Sequence, residues 1–398
     1  MLLIRYSPFL VCILSFSCES NQYTITLSSG ETDRYRSIVQ FVFPGGISHA
    51  GEWELVNGET TAIVPVQKVN DAELVLILDQ PLVANTERNY TLRRAEGTVV
   101  TMQADNNGND LELKSGDKPM LTFNVATDYP PEDQPQYYRR SGYIHPMYSP
   151  DGAVVTDGFP VGHTHQHGVF LAWVNTTFKG DTTDFWNQQL ETGRVIVGHQ
   201  ELTLTSSGSV FTGFSQELAH NSTKYGQVLE EWWDMTAYDL GDYYVFDLVS
   251  SQNNITSDTL YINKYHYGGL AIRGSRMWNY ADSLSFRQAA KVLTSEGKTR
   301  IEANHSRPLW TAIYGETEKG VAGIAVFDNP DNFRYPQPVR VHPEMPYFCF
   351  APMVEGAMII APGAIYQSQY RIVTFDGPPD VKQLDAMWKD YANPITIQ

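Results

Sequence analysis

A chain of 398 residues is long enough for two hydrophobic cores, since a single core seldom grows beyond ~250–300 residues. Hydrophobic residues make up 42% and charged ones only 18%, with 23 Tyr and 8 Trp, a balance that suits β-sheets carrying aromatic surfaces. The formal net charge of −17 repels phosphate backbones and anionic headgroups, which argues against nucleic acid and against electrostatic contact with a membrane surface.

Residues 1–17 carry one positive charge, Arg5, then the apolar run Phe9-Leu10-Val11-Cys12-Ile13-Leu14 and small residues before Cys18. This pattern predicts a signal peptide over residues 1–18, too short to span a bilayer, which takes ~20 apolar residues. Ser15-Phe16-Ser17-Cys18 resembles a bacterial lipobox with Ser15 where Leu is usual. It predicts a lipid anchor on Cys18, with a plain signal peptide as the simpler alternative. Contact with a membrane is expected only through that anchor, in the periplasm or at the cell surface. Of three cysteines only Cys349 lies outside this segment, within Tyr347-Phe348-Cys349-Phe350, where a small buried hydrophobe is expected.

Residues 19–95 alternate β-branched and aromatic runs with turn clusters, at 23–27, 38–43, 62–66, 74–78 and 90–92, and predict a small β-sandwich. They hold no cluster of His with carboxylates or Arg, so this domain is expected to serve as support. Residues 99–103 and 111–113 flank Asp105-Asn106-Asn107-Gly108 and predict a hairpin. The larger domain is placed at 96–398. Its strand patterns fall at 168–174, 194–197, 202–205, 232–238, 243–249, 268–272, 309–314, 321–327, 357–360 and 369–375, without a parallel βαβ rhythm. So many strands call for packed antiparallel sheets or a closed barrel. One helix is predicted after Asp380, from the spacing of Val381, Leu384, Met387, Trp388 and Tyr391. The fold class is therefore all-β, a small sandwich followed by a large antiparallel one with a C-terminal helix.

Gly162-His163-Thr164-His165-Gln166-His167-Gly168 holds three of the ten histidines. On a strand, alternate residues share a face with Cα atoms ~6.6 Å apart, so two imidazoles can meet one ion. A straight strand would hold the outer pair ~13 Å apart, so three-point ligation needs a bend at the flanking glycines. Three readings stay open: ligation of one divalent ion such as Zn or Ca by His163, His165 and His167, polar site work on a ligand, or structure alone. Histidine suits proton transfer because its ordinary pKa of ~6.5 lies near physiological pH.

Further candidates are Arg140 and His145 before the turn at 149–152, the carboxylates Glu230, Glu231 and Asp234 beside Trp232 and Trp233, and His266 in Tyr265-His266-Tyr267. Arg273, Arg276 and Trp278 follow, then Arg340 and His342. Aromatic faces beside Arg, Asn and carboxylates are what sugar binding requires, since a pyranose offers an apolar face and a hydroxyl rim.

At these residues the sequence resembles a bacterial family labelled "methane oxygenase PmoA-like", of unknown function. The resemblance covers roughly residues 99–377 and rests on Arg140-Ser141-Gly142-Tyr143-Ile144-His145-Pro146, the stretch 162–168, Asp184-Phe185-Trp186-Asn187, and residues 333–352 with Met345-Pro346-Tyr347-Phe348-Cys349-Phe350. The family often has three successive histidines where this chain has His165-Gln166-His167. The resemblance implies a large domain like the galactose-mutarotase supersandwich and a place in polysaccharide utilisation.

The expected function is a carbohydrate-active enzyme of lyase, hydrolase or epimerase type. His163, His165, His167 and His266 would supply catalytic groups, with Arg140, His145, Arg273, Arg276, Trp278, Arg340 and His342 around the ligand. A hydrolase would draw its carboxylate pair from Asp157, Glu230, Glu231 and Asp234. The alternatives are a non-catalytic glycan-binding lipoprotein and a metal-dependent oxygenase built on a His-x-His pair.

Overall fold

The computed structural model describes residues 22–43, 52–97, 100–199 and 203–397, so the export segment and Cys18 lie outside it. The chain divides into two compact units, Met1–Thr98 with Pro394–Gln398, and Val99–Asn393. As expected the fold is all-β and of sandwich type, with one antiparallel sheet among the described residues of the first unit and several in the second.

In the first unit the described strands run in the order Ile38–Val42, Glu73–Ile77, Ile63–Lys68, Trp53–Asn57, Glu87–Arg94, Gln22–Ser28 and Thr396–Ile397. Alternation puts Ile25 and Leu27 inside with Leu55, Leu74, Leu76, Tyr90 and Leu92. The last strand of the chain returns here, with Leu27 opposite Ile397.

The second unit holds an eight-stranded and a nine-stranded sheet, with a smaller four-stranded one. The eight-stranded sheet runs Val339–Val341, Tyr347–Phe350, Gly269–Arg273, Val169–Ala172, Ile144–Met147, Lys118–Asn124, Asp110–Ser115 and Met102–Asn106. Its last two strands are the predicted hairpin. Phe123, Ile144, Val169, Ile272 and Phe348 are matched across the strands and so share a face. That face packs on the nine-stranded sheet, Phe123 standing 4.7 Å from the Phe214 ring and 6.1 Å from Trp233. Phe170, Arg273, Tyr347 and Cys349 share the opposite face. Cys349 is fully buried, and burial pushes its thiol up to about 11, so it is the inert hydrophobe expected.

The strand Phe211–Ser222 was not anticipated, because its buried residues include Gln216, Glu217 and His220, which hide the alternation. The predicted helix is Val381–Ala392. The Asp380 carboxylate accepts from the Gln383 N–H, and Leu384 and Met387 are buried.

One glycine is dictated by close approach. Gly168 has φ of +46°, and a Cβ there would lie 2.0 Å from the Ile144 carbonyl oxygen. Gly108, with φ of +87°, has nothing within 4 Å of such an atom. Each alanine substitution meets left-handed backbone strain of about 1–2 kcal/mol, but only Gly168→Ala adds a backbone clash. Thermal melts are expected to show a small loss for Gly108→Ala and a much larger one for Gly168→Ala; equal losses would contradict this account of strand placement.

Candidate functional site

The residues 159–168 form consecutive turns, which corrects the strand expected for the histidine stretch. His163 N–H donates to the Pro160 carbonyl at 3.2 Å and Gln166 N–H to that of His163 at 3.0 Å. Gly162 and Gly168, both with positive φ, close the segment at its two ends. A chain of turns does not alternate as a pleat does. His163 and His165 still meet, with ring centroids 5.9 Å apart, but His167 turns into the interior and is fully buried.

His167 is held on both sides, Nδ1 at 2.8 Å from the Gly158 carbonyl oxygen and Nε2 at 2.9 Å from the Gln188 amide oxygen. The intervening Gln166 is buried too, and its side-chain oxygen accepts from Arg273 Nη1 at 2.9 Å. The middle of the motif therefore holds the guanidinium, while the two outer partners of the turn, His163 and His165, face the half-exposed rim.

Two distant segments join them. His342 stacks edge-on to His163 at 5.7 Å. Its Nδ1 accepts from the Glu344 and Met345 N–H groups at 3.2 and 2.9 Å, so the neutral ring carries its proton on Nε2. His342 is thus a donor toward the site, and in this tautomer its Nε2 has no lone pair for a metal. His145 lies with Nδ1 3.0 Å from the Thr156 hydroxyl, its ring against Gly158. Arg273 and Asp157 complete the group, the Asp157 N–H donating to the Arg273 carbonyl at 3.2 Å.

Burial sets the proton states. It holds His145, His165 and His342 at about 4, with Arg276 adding to the first, His163 and Arg273 to the second, and His163, Arg340 and Arg273 to the third. The same burial raises Asp157 to about 6 although Arg273 and Arg276 oppose it. The imidazoles thus stay neutral where Asp157, joined to the group through Arg273, keeps its proton below about 6. This pairing can take a proton at one point of a ligand and give one at another.

Other sequence candidates are placed elsewhere. Trp278 is buried against Gly274 and Gly315, its indole N–H donating to the Glu316 carbonyl at 2.9 Å, so it is a structural residue and not a ligand platform. Arg140 is fully buried, not at the rim. His266 is exposed and stacks with Tyr265 and Tyr267, beside Arg340 and His305, apart from the three rings at the rim. Arg340 donates to the Asn304 amide oxygen at 2.9 Å. Arg276 is exposed and bound to Asp282, from Nη2 at 2.8 Å, near Asp157. Glu231 is locked between sheets by His220 at 2.6 Å, the Trp233 indole N–H at 2.7 Å and the Ser250 hydroxyl at 2.5 Å. Alternation turns Glu230 and Asp234 outward from the same strand, so these three form no catalytic pair. Among the described residues no group of three or more His, Cys, Asp or Glu is placed to hold a metal ion. The expected trio His163, His165 and His167 is separated by the inward turn of His167.

Sequence reasoning missed Gln188 and Trp186, although Trp186 lies in the motif Asp184-Phe185-Trp186-Asn187. There Asp184 accepts from the Trp186 and Asn187 N–H groups and turns the chain so that Trp186 meets Phe170 at 4.4 Å.

The proton states yield a stability prediction. Imidazoles held near 4 contribute stability that is present above their ordinary 6.5 and is lost as pH falls through 4. Asp157, raised to about 6, contributes in the opposite sense, fully below 3.8 and not above 6. Three groups outweigh one, so Tm is expected to fall between pH 6.5 and 4, and His342→Asn to flatten that fall. Parallel Tm curves for parent and variant would refute the assignment.

Among solved structures the chain is similar to an alpha-mannosidase from Enterococcus faecalis V583, with 8% identity, a TM-score of 0.45, and coverage of 95% of this chain and 46% of that one. It is similar also to a protein in glycosyl hydrolase family 38 from Enterococcus faecalis, with 8% identity, a TM-score of 0.42, and coverage of 96% and 48%. The chain spans about half the length of these solved structures. No curated protein matches it. The oxygenase designation and the mutarotase-like fold stay resemblances. Residues 110–389 match the family of unknown function DUF6807, well over half of the sequence, and the chain belongs to that family.

Proposed function

We propose that this protein is an exported, lipid-anchored enzyme acting on carbohydrate by acid–base chemistry. The observation that supports the reading best is the meeting of His163 and His165, both held below their ordinary range by burial, beside the buried Arg273, whose carbonyl accepts from the N–H of Asp157, a carboxyl raised to about 6. In a β-elimination or an epimerisation, one of the two imidazoles takes the proton next to a carbonyl or carboxyl group. Arg273, buried beneath them, stabilises the charge that develops through its field and not by contact, and Asp157 returns a proton. Tyr267, stacked on Trp186 at 5.6 Å, offers an aromatic surface for a sugar ring near Tyr347. A hydrolase reading is less well supported, since the carboxylate whose charge reaches Asp157, Asp282, is tied to Arg276.

The test is turnover of a panel of neutral and acidic oligosaccharides, followed by chromatography. The expected kcat/KM profile is a bell with limbs near 4, where His165 gains a proton, and near 6, where Asp157 loses one. Asp157→Asn is expected to remove the alkaline limb and to cut the rate by roughly 10²–10⁴-fold. Binding without turnover would leave the glycan-binding lipoprotein as the reading. A rate restored only by Zn²⁺ would favour the His-x-His metal site.

Location belongs to the same proposal. In a Gram-negative host, Cys18→Ser is expected to move the protein from the detergent phase to the aqueous phase, and unchanged partitioning would remove the anchor from the account.

A further inference from the structure

The most anomalous polar group in the second unit is the guanidinium of Arg140. It is fully buried, and Nε, Nη1 and Nη2 all lack a hydrogen-bond acceptor. Its backbone is fixed by the reciprocal bridge to Asp128, at 3.0 and 2.8 Å. Its side chain lies over the Phe170 ring, 4.7 Å from the centroid. Phe170 stands 4.4 Å from Trp186, whose indole N–H is buried without an acceptor as well.

The anions around Arg140 are committed elsewhere. Glu231, whose charge reaches it, is held by His220, Trp233 and Ser250. The Asp128 carboxylate accepts from the Tyr143 hydroxyl at 2.8 Å and from the Tyr129 N–H at 2.8 Å. Buried charges are as a rule paired or hydrogen-bonded, and a cation with five N–H donors and no acceptor departs from that rule. Its neighbour His167 turns both ring nitrogens elsewhere, to the Gly158 and Gln188 oxygens, and none to the guanidinium.

We propose that the buried guanidinium of Arg140 is an enclosed site for a small monovalent inorganic anion of the halide class. Three donor nitrogens and no acceptor select the chemistry of a ligand. A water molecule would bring two more hydrogens into a cluster already rich in donors. A halide brings none, accepts from several N–H groups in any direction, and supplies the charge that a buried guanidinium lacks. The complete burial of Arg140 also excludes a sugar carboxylate, which would need an open path to solvent. Burial holds the guanidinium down to about 9, in keeping with a cation short of partners. The site is distinct from the half-exposed histidines and does not depend on the function proposed for them.

The experiment uses the whole soluble chain at constant ionic strength, exchanging sulfate for chloride. Tm is expected to rise with the logarithm of chloride concentration, by roughly 5 °C over a hundredfold range above its Kd, and Arg140→Met is expected to abolish that rise. Equal chloride dependence in parent and variant would overturn the proposal. Should the variant not fold, crystals of the parent grown in bromide decide the question. An anomalous peak in contact with the guanidinium supports the site, and a position there without anomalous signal overturns it.

Discussion

Period-two alternation along Val169–Ala172, Gly269–Arg273 and Tyr347–Phe350 lets one sheet do two different jobs. Val169, Ile272 and Phe348 point to the nine-stranded sheet and form a dry core. Phe170, Arg273 and Tyr347 point the other way and form the floor on which the turns at 159–168 are laid. A slip of one residue in Gly269–Arg273 would send Arg273 into the core, and one in Val169–Ala172 would send Val169 toward the site. Gly168 guards the register, because the chain crosses the Ile144 carbonyl too closely for any side chain.

Burial on that second face then governs the chemistry. The desolvation that keeps His145, His165 and His342 neutral is the one that keeps the Asp157 proton in place, so acid and base arise from a single cause. Arg273 sharpens the histidine side of this split by repelling an imidazolium, and moderates the Asp157 side by attracting a carboxylate. Held by Gln166 and by the sheet, it cannot swing out to relieve either effect.

Much of the fold was legible because most strands show apolar residues bounded by turn clusters, as in Glu73–Ile77 or Gly320–Asp328. Phe211–Ser222 was not, because a strand buried on both faces with Gln216, Glu217 and His220 inside carries no hydrophobic signature. Of the candidate site, the sequence showed the density of histidines and the glycines at their ends. Local reading could not show that the stretch folds as turns, since the pleat it assumed and the turns it adopts are compatible with the same residues. His342 and Asp157 were both among the candidates, but local reading could not show that His342, far along the chain, stands against His163. Trp278 misled because an indole beside Arg and Asn looks the same in a sequence whether it faces a sugar or Gly274 and Gly315.

The third histidine explains why the other two are left for chemistry. The Gly158 oxygen can only accept, so a neutral His167 carries its proton on Nδ1 and presents a lone pair at Nε2. Gln188 meets that lone pair with oxygen while its amide nitrogen donates to the Arg139 carbonyl at 3.1 Å. A half-turn of the amide would satisfy His167 but set oxygen against the Arg139 oxygen, which Arg194 also binds at 3.3 Å. A second proton on His167 would satisfy both contacts, yet burial and the adjacent Arg140 oppose it. Neither arrangement gives this ring a free nitrogen, and its proton cannot leave without unseating Gly158 or Gln188. His167 therefore belongs to the framework that ties the turns to the strand beneath them, and proton transfer falls to His163 and His165, whose rings meet above it at the rim.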